Sequence, residues 1–314
     1  MKNIAITGVA GFIGSNLAEY LLNKDYRVMG IDDLSYGVKE QVPGNVEFHR
    51  IDVCSEDIFD LFGDIETVFH LAAKNCISDC QLDPVETARI NILGTVNVLE
   101  ACKRKNVRKV ILAESSALYE GCDLFPTPEQ KVSAQSFYAI SKLCGKLFAD
   151  GYIGSSNMNI AALRYFNVYG PRQDYRRTVP PLMSGIIIKL LKGERPIIYG
   201  DGTKRRDFIY VDDVNRFHEM IMFDERTNGK VFNLGSGVNY SVLEIYEAIE
   251  SVLKTGLKPI YRPDLPGETF QNLANISKAE SFGWEPQVSL QEGLRLSIDY
   301  IRENVLDTRE LTSS

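Results

Sequence analysis

The sequence predicts an α/β fold: a doubly wound parallel sheet with helices on both faces, joined to a smaller C-terminal α/β unit. Three observations predict it. Short apolar runs recur at 3–7, 27–31, 46–50, 66–71, 108–114 and 159–165, too short for helices and too continuously apolar for half-exposed strands. Between several of them the chain has helical periodicity, and strands that alternate with helices form parallel sheets with right-handed crossovers. After Tyr169-Gly170-Pro171 the alternation fails, and Pro180-Pro181, Pro196, Gly200, Gly202, Pro259, Pro263 and Pro266 punctuate shorter elements.

The first run, 3–7, passes through Gly8-Val9-Ala10-Gly11-Phe12-Ile13-Gly14 into a helix expected from near Phe12. Glycines permit a tight turn and let backbone approach a pyrophosphate, while the helix start offers free N–H groups and a positive dipole end. A Rossmann-type dinucleotide site follows, with Gly8, Gly11, Phe12, Ile13 and Gly14 against the cofactor. The spacing is GxxGxxG, unlike the commoner GxGxxG. The second run ends in Asp32-Asp33-Leu34-Ser35, about 20 residues beyond the loop, where a carboxylate accepts from a ribose 2′-hydroxyl. The same charge repels a 2′-phosphate, so the expected cofactor is NAD. Asp52-Val53 follows the third run and is placed to reach the adenine; capping a turn is the competing role for Asp52.

The stretch 85–105 has apolar residues at Val85, Ala88, Ile92, Val96, Leu99 and Ala101, and 134–153 is similarly helical. Both are expected along the sheet, as paired helices suited to a dimer surface. In the second, Tyr138 and Lys142 stand four apart and share a helix face. A phenol, with an ordinary pKa of about 10, serves as a base near neutrality only beside positive charge, which Lys142 and an oxidised nicotinamide supply. The same spacing at Tyr20 and Lys24 faces no expected site. The run 108–114 leads into Ser115-Ser116, hydroxyls at the carboxyl end of a parallel strand, where ligands bind. Ser115 is placed to bond both a sugar oxygen and Tyr138.

The 314 residues, 44% hydrophobic, suffice for one large unit and a smaller one. The expected division is 1–170 for the dinucleotide unit, with 207–237 returning to it, 171–206 and 238–304 for substrate, and a polar, flexible tail at 305–314. Strands near 207–210 and 231–234 are candidates to rejoin the main sheet. A net charge of −7 argues against nucleic acid as a partner. Cys54, Cys76, Cys80, Cys102, Cys122 and Cys144 have no metal or redox spacing, so no metal is expected. Neither a secretory apolar segment nor an apolar run of about 18 residues is seen, and the expected setting is the cytoplasm, away from membranes.

Taken in order, these blocks resemble the extended short-chain dehydrogenase/reductases, within them the nucleotide-sugar epimerase and dehydratase group. The likeness spans about residues 1–300 and adds His70-Leu71-Ala72-Ala73, Asn91-xx-Gly94-Thr95, Arg164-Tyr165-Phe166-Asn167-Val168-Tyr169-Gly170-Pro171 and Arg206-Asp207-Phe208-Ile209-Tyr210-Val211-Asp212-Asp213-Val214. It implies bound NAD, a nucleotide-diphosphate sugar, UDP-linked, as substrate, and a homodimer. Leu71, Ala72, Ala73 and Tyr165 would border the cofactor, and Lys142 its nicotinamide ribose. Asn167 and Arg206 would meet the diphosphate and Glu268 the uridine ribose, with Ser116, Val179 and Tyr199 completing the substrate set. Members of this group often place an arginine three residues before the acidic position; here it is Leu265, and Arg262 is the candidate replacement.

Dehydratases of the group carry an Asp-Glu pair directly after the catalytic hydroxyl residue, and uronate decarboxylases a glutamate two places on. Here Ser116 and Ala117 stand there. Elimination of water then lacks its acid and base, and epimerisation at C4 through a transient 4-ketone remains, as in surface-polysaccharide precursor synthesis. The competing readings are a nucleotide-sugar reductase or dehydratase-type enzyme and a non-catalytic NAD-binding module. Lys74 and Arg176 are the cations placed to meet a sugar carboxylate, so hexose, N-acetylhexosamine and uronate all stay open.

Overall fold

The computed structural model describes residues 2–156, 158–173, 175, 180–264 and 269–306. Its strands are Asn3–Thr7 (β1), Arg27–Ile31 (β2), Glu47–His49 (β3), Thr67–His70 (β4), Lys109–Ser115 (β5), Ile160–Tyr165 (β6), Val168–Tyr169 (β7), Ile197–Tyr199 (β8), Arg205–Asp207 (β9), Ile209–Tyr210 (β10), Val231–Leu234 (β11), Asn239–Ser241 (β12) and Ile260–Arg262 (β13). Seven of them form one sheet in the order β11-β6-β5-β4-β1-β2-β3. Every neighbouring pair in it is parallel.

The main helices are Phe12–Leu22 (α1), Ile77–Leu82 (α2), Pro84–Ala88 (α3), Gly94–Arg104 (α4), Phe137–Ser156 (α5), Leu182–Leu191 (α6), Val211–Ile221 (α7), Val242–Leu253 (α8), Ser277–Glu280 (α9) and Leu290–Asn304 (α10). Side chains alternate across a strand, and each face here is apolar. Ile4, Ile6 and Ile111 pack with Leu17 and Leu21 of α1 and Phe217 and Ile221 of α7. Ala5, Val110 and Leu112 pack with Val98, Leu99 and Cys102 of α4 and Ala149 of α5. This is the doubly wound arrangement expected of continuously apolar strands. A separate apolar cluster packs α6, α8, α10 and β8 against Tyr169, Tyr210 and Val211.

The six apolar runs became β1 to β6 within about one residue of the expected ends. Of the two later candidates, 231–234 joins the main sheet as β11 beside β6. The other does not: β10 pairs with β7 and β9 with β12, in two small sheets outside it. The helix expected over 85–105 is broken by a π-helical turn, Arg89–Leu93, and the one expected from 134 begins at Phe137.

Asp207 shows why β9 stays out of the main sheet. Its fully buried carboxylate accepts from Ser236 N at 2.6 Å and Oγ at 2.9 Å, and from the amides of Gly237 at 3.1 Å and Ala274 at 3.0 Å. One side chain thereby ties the β11–β12 connection and the segment before α9 to the strand that carries Arg206. Asp207→Asn keeps the shape but turns an NH2 towards donors. It should cost about 2–3 kcal/mol, read as a lower urea midpoint at unchanged slope.

Candidate active site

A cleft of ≈ 1320 Å³ opens at the carboxyl ends of β1, β2, β4, β5 and β6 and runs on to β8 and the approach to β9. Its floor is the glycine loop. Gly8 has φ +74° and donates its N–H to Ile31 O at 2.7 Å. A Cβ on Gly14 would lie 2.2 Å from Gly8 O, and one on Gly8 2.7 Å from Ala72 N. Only glycine lets α1 sit this close to the loop, and the loop this close to the exit of β4. The first turn of α1 has no side-chain cap, so its amides and the positive dipole end serve an anion.

Asp32 is nearly buried and accepts from the amides of Ala10 at 3.0 Å and Leu34 at 2.9 Å. Burial raises its pKa and those two amides oppose the rise. Asp33 accepts from Ser35 N and Oγ. The cleft wall takes in Asp32, Asp33, Ser35, Asp52, Val53, Leu71, Ala72 and Ala73 with Phe12 and Ile13. Leu34 departs from expectation: it is off the wall, in a left-handed conformation (φ +65°) that aims its amide at Asp32. Asp52 is tied to Cys54 N and Arg89; burial works to raise its pKa, but these bonds outweigh it and hold the carboxyl low. An uncapped helix start, a loop with glycine at 8, 11 and 14 and carboxylates at the end of β2 fit NAD.

Behind the β4 exit, His70 bridges Thr7 Oγ1 at 2.8 Å and Thr95 Oγ1 at 2.9 Å. Burial, with Lys142 nearby, pushes its pKa down to about 3, so the ring is neutral. Asn91, in the π-helical turn, holds the Lys74 backbone at both N and O and donates to Ser141 Oγ. That clamp joins the cofactor-side loop to the helix of Tyr138 and Lys142. The Lys74 ammonium itself points to Asp83, 3.5 Å from its carbonyl and 3.8 Å from its carboxylate. It borders the cleft, as expected of a substrate-side cation, while paired with Asp83.

Ser115 ends β5 and caps the following 3-10 turn, Ser116–Tyr119, through Ala117 N. Tyr138 and Lys142, one turn apart on α5, border the cleft beside Ser115, Ser116 and Tyr165. Lys142 donates to Ala113 O at 3.0 Å; burial pushes its pKa down to about 8 against the opposing charge of Glu114. Glu114 is buried and paired with Arg164 at 2.7 Å. Arg164 also donates to Tyr119 Oη, which donates to Asn233 Oδ1. The rival pair at Tyr20 and Lys24 is elsewhere: Tyr20 donates to Glu219, and neither residue borders the cleft.

At the far end stand Asn167, Tyr199 and Arg206. Asn167 donates to Asp207 O at 2.7 Å, and Arg206 to the carbonyls of Arg205 and Phe270. Arg176, Val179, Leu265 and Glu268 lie outside the described residues. Arg262 is on the exposed strand β13 and off the cleft wall, whereas Lys204, which the sequence reading missed, is on it and pairs with Asp264 at 2.7 Å. Strand alternation was the available signal: Lys204 and Arg206 are two apart and share a face, while Arg205 turns to Asn239. Asn272, Glu120 and Gln135 were also missed, and no spacing in the sequence marks them.

The family described as "NAD dependent epimerase/dehydratase family" matches residues 4–235. A putative UDP-glucose 4-epimerase of Methanocaldococcus jannaschii is 34% identical, over 96% of this chain and 99% of its own. The crystal structure of UDP-glucose 4-epimerase from Thermotoga maritima with UDP-glucose matches with a TM-score of 0.93 at 33% identity, over 97% of this chain and 100% of that one. UDP-glucuronic acid 4-epimerase from Bacillus cereus, in complex with UDP-glucuronic acid and NAD, matches with a TM-score of 0.87 at 32% identity, over 96% and 99%.

Lys142 should titrate near pH 8 in a lysine side-chain NMR experiment, well below an ordinary lysine at about 10.4. Glu114→Gln removes the charge that favours the ammonium and leaves Arg164 unopposed. The midpoint should move lower still.

Proposed function

The chain belongs to the NAD dependent epimerase/dehydratase family, and we propose that within it the protein is an NAD-dependent enzyme that inverts C4 of a UDP-linked sugar. One observation carries the reading. Ser115, Tyr138 and Lys142 border the same cleft as the glycine loop, while Ser116 and Ala117, directly after Ser115, offer no acid or base for elimination. The 4-epimerases among its relatives support the reaction class.

Bound NAD, held by Gly8 to Gly14, Asp32, Asp33 and the walls at Val53, Leu71 to Ala73 and Tyr165, supplies the acceptance and return of a hydride at C4. Tyr138 takes the proton of the sugar 4-hydroxyl, Ser115 shares that hydroxyl's hydrogen bond, and the Lys142 ammonium stabilises the phenolate. When the ketone has turned over, so that its other face meets the cofactor, Tyr138 returns the proton to the C4 oxygen. The chain thus supplies position and electrostatics. Arg206 and Lys204 hold the diphosphate, with Asn167, Tyr199, Arg176, Val179 and Glu268 completing the substrate contacts.

Tyr138→Phe should keep NAD bound, measured by absorbance of the denatured supernatant, and lose nearly all turnover of a panel of UDP-hexoses, UDP-N-acetylhexosamines and UDP-uronates. The wild type should interconvert C4 epimers without accumulating NADH. Accumulation in step with product would make it a dehydrogenase instead.

The second copy of the chain is proposed to dock on α4 and α5. Leu93, Leu147 and Phe148 are exposed there, beside a groove that takes in Val96 and Tyr152. No described helix is long and apolar enough to cross a membrane, and six unpaired thiols suit the reducing cytoplasm. A Leu147→Asp, Phe148→Asp double variant should elute as a monomer by light scattering where the wild type is a dimer; a monomeric wild type would sink this surface.

A further inference from the structure

We propose that Glu120, acting through Ser136, is the residue that positions the phenol of Tyr138 against the hydroxyl of Ser115. The inference rests on the reading of Tyr138 as the proton-transfer group. Its basis is how the chain returns to the site. After the 3-10 turn Ser116–Tyr119 the backbone leaves the sheet edge, and it re-enters only at α5. The far part of this excursion is fixed elsewhere: Thr127 N donates to Leu273 O, and Asn275 N donates to Thr127 O.

At the near end the Glu120 carboxylate gathers three donors from 15 and 16 residues on. Its Oε2 accepts from Ser136 N at 2.8 Å and Gln135 N at 3.2 Å, and its Oε1 from Ser136 Oγ at 2.8 Å. Ser136 Oγ in turn accepts from Ala139 N at 3.1 Å, so the clamped residue is also the cap of α5. Tyr138 lies between cap and capped amide, in the first turn, where helices fray. A carboxylate suits this place because it is acceptor-only and can take all three donors, and its charge faces the positive end of a helix.

The other end of the clamp is as firmly held. Glu120 directly follows the turn that Ser115 caps, and Tyr119 is locked by Arg164 and Asn233. Ser115 and Glu120 are therefore carried by one rigid turn. Backbone bonds from Gly121 N to Ser133 O at 3.0 Å and from Ser133 N to Leu118 O at 2.8 Å bring the two ends together, and fixing Ser136 to Glu120 carries that tie onward into the first turn of α5, where Tyr138 stands.

The test compares Glu120→Ala, Glu120→Gln and Ser136→Ala in the NAD-loaded protein. Glu120→Ala should lower kcat by about 10- to 100-fold, the penalty for an ångström-scale misplacement, with KM within about twofold and nearly unchanged melting temperature. Glu120→Gln, which keeps one accepting oxygen, should fall between it and the wild type, and Ser136→Ala should lose part of kcat in the same way. Ultraviolet difference titration against Tyr138→Phe, without sugar, should show the phenol ionising at higher pH in Glu120→Ala, because a loosened first turn carries it away from Lys142. A wild-type kcat and unshifted phenol in that variant would overturn the proposal, as would a loss confined to KM, which marks a substrate contact, or one that tracks the unfolded fraction. If the wild type turns over no UDP-sugar, the functional reading fails, while the phenol titration still decides the role of Glu120.

Discussion

Backbone meets backbone at Gly8 and Gly14 more closely than any side chain permits, and the cleft depends on that approach. A Cβ at Gly14 would fall 2.2 Å from Gly8 O, so with any other residue α1 would stand off from β1 and its first amides would leave the cleft. The same loop is pulled from a second side by Ile31 O and from a third by Asp32, which accepts from Ala10 N. Three adjacent strands, β1, β2 and β4, are thereby referenced to one turn. Residues at the ends of all three then keep fixed distances without loop side chains of their own.

The fold was legible where periodicity decides it. Strands bounded by turn residues and buried along nearly their whole length, such as β4 and β5, require helices above and below, and Ile4 and Ala5 of β1 do enter opposite cores. Legibility ended where pairing is set by a single polar side chain. The segment 207–210 is as strand-like as 231–234, yet the buried Asp207 carboxylate binds it to Ser236, Gly237 and Ala274, contacts whose partners lie 29 to 67 residues away. Likewise the break at 89–93 leaves the apolar pattern intact and shows only as the need of Asn91 to reach Lys74 and Ser141 at once.

The site was legible in the same uneven way. Residues that recur as local patterns, the glycine loop, Ser115 and the Tyr138-Lys142 pair, all came to one cleft. The pairing of Lys74 was not legible, because its sequence position gives no hint that Asp83, the cap of α3, lies within reach of its ammonium. Glu120 was invisible for the converse reason: its partners, Gln135 and Ser136, are brought back to it by a loop whose path the sequence does not encode in any period.

The cleft is rich in carboxylates, and their partners explain why this abundance does not imply acid–base chemistry of their own. Asp32 binds two backbone amides, Glu114 a buried guanidinium, and Glu120 two amides and a hydroxyl. Removing a carboxylate so engaged would leave its donors unpaired, at a cost of about 1–3 kcal/mol each, so each of the three serves to hold backbone or side chains in place. The proton transfer proposed for Tyr138 calls on none of them, and Lys142 stands one turn on along the same helix. A buried ammonium whose pKa is pushed down to about 8 is charged at neutral pH but only just. The charge proposed to stabilise the phenolate is therefore one that burial resists and Glu114 restores, with Glu114 itself held in place by Arg164.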